Sequence, residues 1–172
     1  MKIKADTSAL KCIFVAIVTM TSITALAEDS WQAFQWIEAK PVSEVWINPG
    51  MYAYHFQKDQ NLNNNNWGIG LEYRFSTVAS ATIGNFKNSD NAQSYYAGFY
   101  YQPVRFGPVK LGVVAGAFNG YKSTNNGAWF PAILPALTVE QDRFGANIFL
   151  IPTVGDRLHG AIALQLKVKI YD

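Results

Sequence analysis

The strict alternation of side chains in the last segment of the chain limits its fold more than any other feature. Every second residue is apolar or small on one face, and the opposite face carries charge and amide groups. The first face holds Gly160, Ile162, Leu164, Leu166, Val168 and Ile170, and the second holds Ala161, Ala163, Gln165, Lys167 and Lys169. A period of two places successive side chains on opposite sides of an extended backbone, which predicts a β-strand.

The same pattern recurs along the chain and predicts eight strands. They span 51–57, 67–76, 78–87, 94–103, 107–119, 129–140, 143–153 and 158–171. Several have about 10 residues, the length that crosses a bilayer when a strand is tilted. The connections alternate between long polar loops (58–66, 88–93 and 120–128) and short turns (77, 104–106 and 141–142). Long loops at one rim and short turns at the other are typical of outer-membrane barrels.

We therefore predict an all-β chain that forms an eight-stranded antiparallel transmembrane β-barrel. The barrel must close, because lipid cannot form hydrogen bonds with a free strand edge. Lys167 and Lys169 are expected to face the lumen, since a lysine facing lipid at mid-membrane costs about 2–4 kcal/mol. The alternative is a soluble periplasmic binding barrel, whose outward face would be polar. Side chains fill most of an eight-stranded lumen, so a diffusion pore is not expected.

Residues 1–27 have the pattern of a secretory signal peptide. Three lysines precede a short apolar run that holds Cys12, and Ala25-Leu-Ala27 has the small-residue form of a cleavage site. The alternative is a transmembrane anchor, but a spanning helix needs about 20 mostly apolar residues. Without residues 1–27 the chain has eleven basic and eleven acidic residues and no cysteine. This balance argues against a nucleic-acid partner, and the lack of cysteine suits an oxidising compartment.

Residues 28–41 are predicted to form an amphipathic helix on the periplasmic side, followed by the barrel at 42–172. Trp31, Phe34 and Ile37 recur at helical spacing, and Pro41 ends the run. Such a helix lies in a membrane interface. The alternative is a plug packed inside the barrel.

The antiparallel order of the strands brings several polar residues to one rim. The first, third, fifth and seventh strands all end there, which gathers His55, Asn88, Ser89, Tyr121, Lys122, Asp156, Arg157 and His159. A histidine and a serine on one rim can serve as a base and as a nucleophile or positioning group, although rim loops are also often merely solvated. The two histidines are far apart in sequence, so no metal or cofactor is expected. The Asn63–Asn66 run is expected to be a loop without chemistry.

Prolines interrupt two neighbouring strands. Pro131 and Pro135 lie on the sixth predicted strand, and Pro152 lies on the seventh. Proline has no N–H and cannot complete a strand ladder. These residues predict unpaired backbone in the wall, which would form a lateral gate for a lipid tail. The alternative is a bulge that relieves strain in the barrel.

Five short motifs, in their order and spacing, resemble the PagP family of outer-membrane lipid A palmitoyltransferases over most of the chain after residue 27. They are Ile47-Asn-Pro49-Gly-Met-Tyr-Ala-Tyr-His55, Phe86-Lys-Asn88-Ser89, Ala97-Gly98, Phe130-Pro-Ala-Ile-Leu-Pro135 and Ile151-Pro152. The resemblance implies a monomeric barrel in the outer membrane of a Gram-negative bacterium. It also implies that the protein moves a palmitoyl-like chain from a phospholipid to the lipid A part of lipopolysaccharide without a cofactor.

The resemblance also implies roles for particular residues. His55 corresponds to the catalytic histidine and would be the general base, and Ser89 would be the reactive or positioning hydroxyl. Asn88 replaces the family's aspartate and would be an orienting group. Tyr100 stands where the family has a glycine at the floor of its acyl pocket, and Lys122 lies near the position of a family arginine. The replacements at residues 88 and 100 motivate an alternative, a structural or lipid-binding barrel whose chemistry has changed.

Overall fold

The computed structural model describes residues 34–155 and 158–172, and in them eight long antiparallel strands close into a barrel. A short strand, β1 (Gln35–Trp36), comes first. The barrel strands are β2 (Pro41–His55), β3 (Asn65–Ser76), β4 (Ala79–Lys87), β5 (Gln93–Phe106), β6 (Val109–Phe118), β7 (Phe130–Gln141), β8 (Phe144–Ile151) and β9 (Ala161–Tyr171). Each pairs with the next in sequence, and β2 pairs with β9 to close the ring. A 3-10 helix, Asn125–Gly127, lies between β6 and β7.

The two ends of the barrel differ, as the connection lengths predict. The loop rim carries the long connections after β2, β4, β6 and β8, and the turn rim carries the tight turns after β3, β5 and β7. The eight-stranded antiparallel barrel predicted from the alternation is thus confirmed. Within 34–155 and 158–172, no helix combines the length and hydropathy needed to cross a membrane.

The first barrel strand is longer than predicted, because it begins at Pro41 and not at residue 51. A bulge hides its periodicity: Asn48 and Gly50 face inward, but Ala53 and His55 also face inward, so the phase slips by one residue. The pairings with β3 and β9 both shift register at this point. Gly50 has φ +95, and a Cβ there would lie 2.2 Å from the Asn66 carbonyl oxygen. The bulge therefore requires glycine.

The predicted amphipathic helix is wrong for residues 34–41. Gln35 and Trp36 pair as a strand with Arg105 and Val104, and the Arg105 guanidinium donates to Gln35 Oε1 at 2.9 and 2.7 Å. β4 begins opposite Tyr101, so β5 has an open edge beyond that residue. The backbone of β1 pairs with this open edge of β5. Covering the edge determines the extended conformation of these residues, despite the helical spacing of the apolar side chains. Residues 28–33 of the predicted helix and the predicted signal peptide at 1–27 lie outside the described residues.

The barrel turns its apolar face outward. In β9, Leu166 is 60% exposed and Lys167 only 2% exposed. The outward side chains on the other strands are also apolar, and they include Ile47, Tyr52, Trp67, Ile69, Leu71, Ile83, Phe99, Val113, Ile133 and Leu150. The inward direction of Lys167, predicted from the cost of placing a charge in lipid, is confirmed.

Charged side chains fill the half of the lumen nearest the turn rim. This charged cluster consists of Glu44, Glu72, Arg74, Lys110, Glu140, Lys167 and Lys169. Arg74 pairs with Glu140 and, at 2.9 Å, with Glu44. Trp46 is 1% exposed and lies under three of the cations. Buried charges are tolerated when they are paired, and the charges of this cluster are paired with one another.

Above the charged cluster lies a layer of hydrogen-bonded polar side chains. Thr138 donates to Asn147 at 2.7 Å, Gln102 donates to Thr138 at 2.9 Å, and Asn147 donates to Gln165 at 3.0 Å. The lumen then becomes apolar toward the loop rim. The fold therefore presents an apolar chamber in the half of the lumen nearest the loop rim.

Candidate functional site

Three side chains at the loop rim form a continuous chain of hydrogen bonds. His55 Nε2 lies 2.8 Å from Ser89 Oγ, and His55 Nδ1 lies 2.8 Å from Asn64 Oδ1. An amide oxygen only accepts hydrogen bonds, so Nδ1 carries the proton. Nε2 is then free to accept the proton of the Ser89 hydroxyl. This is the arrangement in which a neutral histidine activates a hydroxyl group.

The hydrogen bonds between strands and loops hold these three residues in place. His55 is the last residue of β2 and Asn64 immediately precedes β3, and the Ala53 N–H donates to the Asn64 carbonyl at 2.9 Å. Ser89 lies in the loop after β4, and its carbonyl accepts from the Asn63 N–H at 2.8 Å. Two loops that are distant in sequence are thus joined at the site. The prediction that His55 and Ser89 share one rim agrees with their positions.

Asn88 has a different environment from the one its predicted role requires. It is fully buried, and its Oδ1 accepts from the N–H groups of Asp90 and Ala92 at 3.0 and 2.9 Å. Its Nδ2 donates to Ser94 Oγ and to the Gly120 carbonyl, both at 2.9 Å. These bonds hold the loop after β4 in shape. The side chain that contacts His55 Nδ1 is that of Asn64.

The Asn63–Asn66 run was expected to be a loop without chemistry, and it supplies Asn64, whose side chain contacts His55. The run resembles an ordinary polar loop, and nothing in its composition separates one asparagine from the next. The signal is positional, because Asn65 pairs with Tyr52 and the hairpin therefore returns Asn64 to the level of the β2 end. The proximity of Asn64 to His55 can be recognised only from the register of that hairpin.

An apolar cavity of about 80 Å³ lies beneath the site, inside the barrel. Its lining is aromatic and aliphatic and includes Met51, Phe86, Phe118, Leu134 and Phe149. Tyr100 forms part of its floor, is buried, and accepts from Asn147 Nδ2 at 3.4 Å. The bulky side chain of Tyr100 limits the depth of the cavity at this point.

A second cavity of about 30 Å³ contains the polar site itself. His55, Ser89, Asp90, Ser123 and His159 line it. It shares three lining residues with the apolar cavity: Tyr121, Ile151 and Leu158. The histidine–serine pair therefore lies at the mouth of the apolar chamber.

Tyr121 lies beside Ser89 in this mouth. Burial raises the pKa of its phenol, the charge of Asp90 raises it further, and a hydrogen bond with the Ser89 side chain opposes both effects. The phenol therefore keeps its proton at physiological pH.

The three prolines expected to interrupt the wall lie beside the junction of β7 and β8. Pro131 and Pro135 pair with Ala117 and Val113 in an unbroken ladder between β6 and β7, so their missing N–H groups face β8. Among the described residues, the ladder between β7 and β8 begins only at Ala136 and Phe149. Pro152 follows the end of β8 and is exposed. The seam between these strands is thus unpaired on the side of the loop rim.

Pro49 and Lys122 lie away from the two cavities. Pro49 is exposed within the bulge of β2, and Lys122 is exposed in the loop after β6. Neither belongs to the lining of the two cavities described above. In the described ranges, no group of three or more His, Cys, Asp or Glu side chains is placed to hold a metal ion.

The fold and the site together define the class of this protein. It is an eight-stranded antiparallel barrel with an apolar outer surface, a charged cluster in the turn-rim half of its lumen, and a histidine–serine pair above an apolar chamber. Among solved structures it is similar to the Yersinia pestis outer membrane protein Ail in a phospholipid bilayer nanodisc. The TM-score is 0.47 at 15% identity, over 76% of this chain and 100% of that chain.

No protein-family model and no curated protein matches the sequence. The resemblance to PagP therefore remains a hypothesis based on the five motifs.

Proposed function

We propose that this protein is an outer-membrane acyltransferase of a Gram-negative bacterium, which moves a palmitoyl-like chain from a phospholipid to lipid A. The observation that carries the proposal is the 2.8 Å contact between His55 Nε2 and Ser89 Oγ at the mouth of an apolar chamber. A base and a hydroxyl act on the ester, and the apolar chamber contacts part of the hydrocarbon chain. The choice of phospholipid and lipid A as substrates rests on the resemblance of the five motifs, in their order, to the PagP family.

The outer surface supports a position within a bilayer. The outward side chains are apolar and the charged cluster is buried in the lumen. A soluble barrel has the reverse arrangement, because water favours polar side chains on the outside. A protein so placed meets both proposed substrates, the phospholipid and the lipopolysaccharide, in the plane of the membrane.

The chamber and the seam suggest how a lipid reaches the site. The unpaired stretch between β7 and β8 opens the wall beside the chamber, where Phe130, Ala132 and Leu134 line the interior. An acyl chain that enters there brings its ester to the rim, where His55 takes a proton from the attacking hydroxyl. General base catalysis of this kind contributes about 10²–10⁴-fold to a rate. One chain supplies the whole site, which is consistent with a monomer.

The test uses purified protein in vesicles that contain a phospholipid donor and lipid A. Mass spectrometry of the lipids measures the acylated lipid A. His55→Ala and Ser89→Ala are expected to lose activity about 10²–10⁴-fold, and Ser43→Ala, a matched serine exposed near the turn rim, is expected to keep it. Equal activity in His55→Ala and wild type, or no activity in wild type, contradicts the proposal.

A second candidate function is lipid binding without catalysis. The small chamber with Tyr100 in its floor favours it, since about 80 Å³ is roughly half of an engineered cavity of about 150 Å³ that holds benzene. A lipid-binding barrel would retain phospholipid without transferring the acyl chain, and Asn88→Asp would not create activity. The same assay separates the two functions.

A further inference from the structure

We infer that Asn64, His55 and Ser89 form a nucleophilic triad in which Ser89 Oγ is acylated and Asn64 is the positioning residue. The inference rests on the proposed function, since it concerns how an acyl ester reacts at the same site. It goes further in naming the atom that carries the acyl group and a third residue that the sequence did not reveal.

The first step of the argument is the tautomer of His55. Both ring nitrogens have partners at 2.8 Å, and the partner of Nδ1 is an amide oxygen. The Asn64 oxygen stabilises only the tautomer with the proton on Nδ1, which leaves a lone pair on Nε2. A nucleophile, a base and a group that orients the base, each within hydrogen-bond reach of the next, are the parts of a catalytic triad, and asparagine serves as the third member in some of them.

The second step is the rigidity of Asn64. Its carbonyl accepts from the Ala53 N–H, and its neighbour Asn63 is bonded through its N–H to the Ser89 carbonyl and through Nδ2 to the Asn88 carbonyl at 3.2 Å. The orienting amide and the nucleophile are thus held by the same pair of loops. His55 is 4% exposed, so its ring has little room to take another orientation. The amide controls the direction of the imidazole lone pair.

The chemistry balances without a further reactant. Ser89 Oγ attacks the carbonyl carbon of the phospholipid ester, and its proton passes to His55 Nε2. The ester C–O bond breaks, the lysophospholipid oxygen takes the proton from Nε2, and an acyl-serine remains. A hydroxyl of the acceptor then attacks the acyl carbon and gives its proton to Nε2, and the Ser89 oxygen leaves and recovers that proton.

The experiment uses the full protein in detergent micelles and a fluorophosphonate probe with a short alkyl chain. Ser89 Oγ attacks phosphorus, fluoride leaves, and the phosphonylated serine is stable, so fast deacylation cannot hide the adduct. Intact mass spectrometry measures the labelling rate, and peptide mapping locates the adduct. Labelling is expected at Ser89 in the wild type, and Ser89→Ala is expected to abolish it.

The asparagine variants test the positioning role. Asn64→Ala is expected to slow labelling about hundredfold, the loss typical of a misplaced reacting group. Asn65→Ala, the adjacent and exposed matched variant, is expected to label at the wild-type rate. Asn64→Asp is expected to restore labelling and to move the acidic limb of its pH profile to higher pH, because a carboxylate favours the protonated imidazole.

The outcomes separate this inference from the proposed function. Labelling at Ser89 without acyl transfer to lipid A supports the triad and overturns the acyltransferase. Acyl transfer that persists in Ser89→Ala, or transfer by a wild-type protein that is not labelled, overturns the triad and leaves the acyltransferase. Equal labelling rates in Asn64→Ala and Asn65→Ala overturn the role of Asn64.

Discussion

Replacing Lys167 by methionine is expected to destabilise the barrel by about 3–5 kcal/mol, the usual cost of removing one partner of a buried ion pair. Lys167 Nζ lies 2.8 Å from Glu72 and 2.9 Å from Glu140, and 4.8 Å from the ring centre of Trp46. Methionine keeps a long apolar side chain, so the substitution mainly removes the positive charge. Glu140 would keep Lys110 and Arg74, but Glu72 would keep only Ser80 and an Arg74 contact of 3.5 Å.

The cost should therefore fall mainly on Glu72, which a double-mutant cycle can test. In Lys167→Met with Glu72→Gln, no carboxylate at residue 72 is left without its partner, so the two losses should be less than additive by about 0.5–3 kcal/mol. The assay is reversible urea unfolding in phospholipid vesicles, followed by tryptophan fluorescence with Trp46 as the reporter beside the cluster. Lys87→Met, an exposed lysine at the end of β4, should stay within about 0.5 kcal/mol of the wild type. A Lys167→Met variant as stable as Lys87→Met, or strict additivity in the cycle, refutes the reasoning.

Three further predictions concern the chamber, the seam and the bulge. Tyr100→Ala should deepen the chamber and shift the preference of the enzyme toward donors with longer acyl chains. Each extra methylene that is buried contributes about 0.8 kcal/mol, which corresponds to about a fourfold increase in rate. An unchanged chain-length profile in the vesicle assay contradicts this prediction. Pro131→Ala combined with Pro135→Ala returns two N–H groups that face β8, so hydrogen exchange should show protected amides there while acyl transfer slows; undiminished transfer argues against entry through the seam. Gly50→Ala should lower the free energy of unfolding in urea by more than about 1 kcal/mol, because φ is positive and an alanine Cβ would clash with the Asn66 carbonyl oxygen. A wild-type midpoint contradicts the need for glycine.

The barrel could be predicted from the sequence because its signal is local and repeated. Leu166 is exposed on the outer face and Lys167 is buried in the lumen, because a charge facing lipid is costly. The strands with clean alternation likewise turn their apolar side chains outward. The prediction failed where that signal is interrupted. The bulge at Gly50 shifts the phase of β2, and the chain from Phe34 to Lys40 has helical spacing but meets an open edge of β5.

The candidate site could be predicted in part. Antiparallel order alone brings His55 and Ser89 to one rim, and the structure gives their contact at 2.8 Å. Asn88 was expected to be an orienting group because the resemblance to PagP places it where that family has an aspartate, but its side chain is bonded within its own loop. Asn64 has no distinguishing sequence signal, since it is one asparagine among several.

By itself, the sequence determined the number of membrane-length strands, the face that meets lipid and the rim that collects the polar residues. These properties depend on a period of two and on the cost of placing charge in hydrocarbon, which act on each strand independently. Only the tertiary structure decided which polar side chains touch, which amide orients His55 and where the seam stays open. Those depend on register, bulges and loop pairing across the barrel, where a slip of one residue moves every side chain to the opposite face.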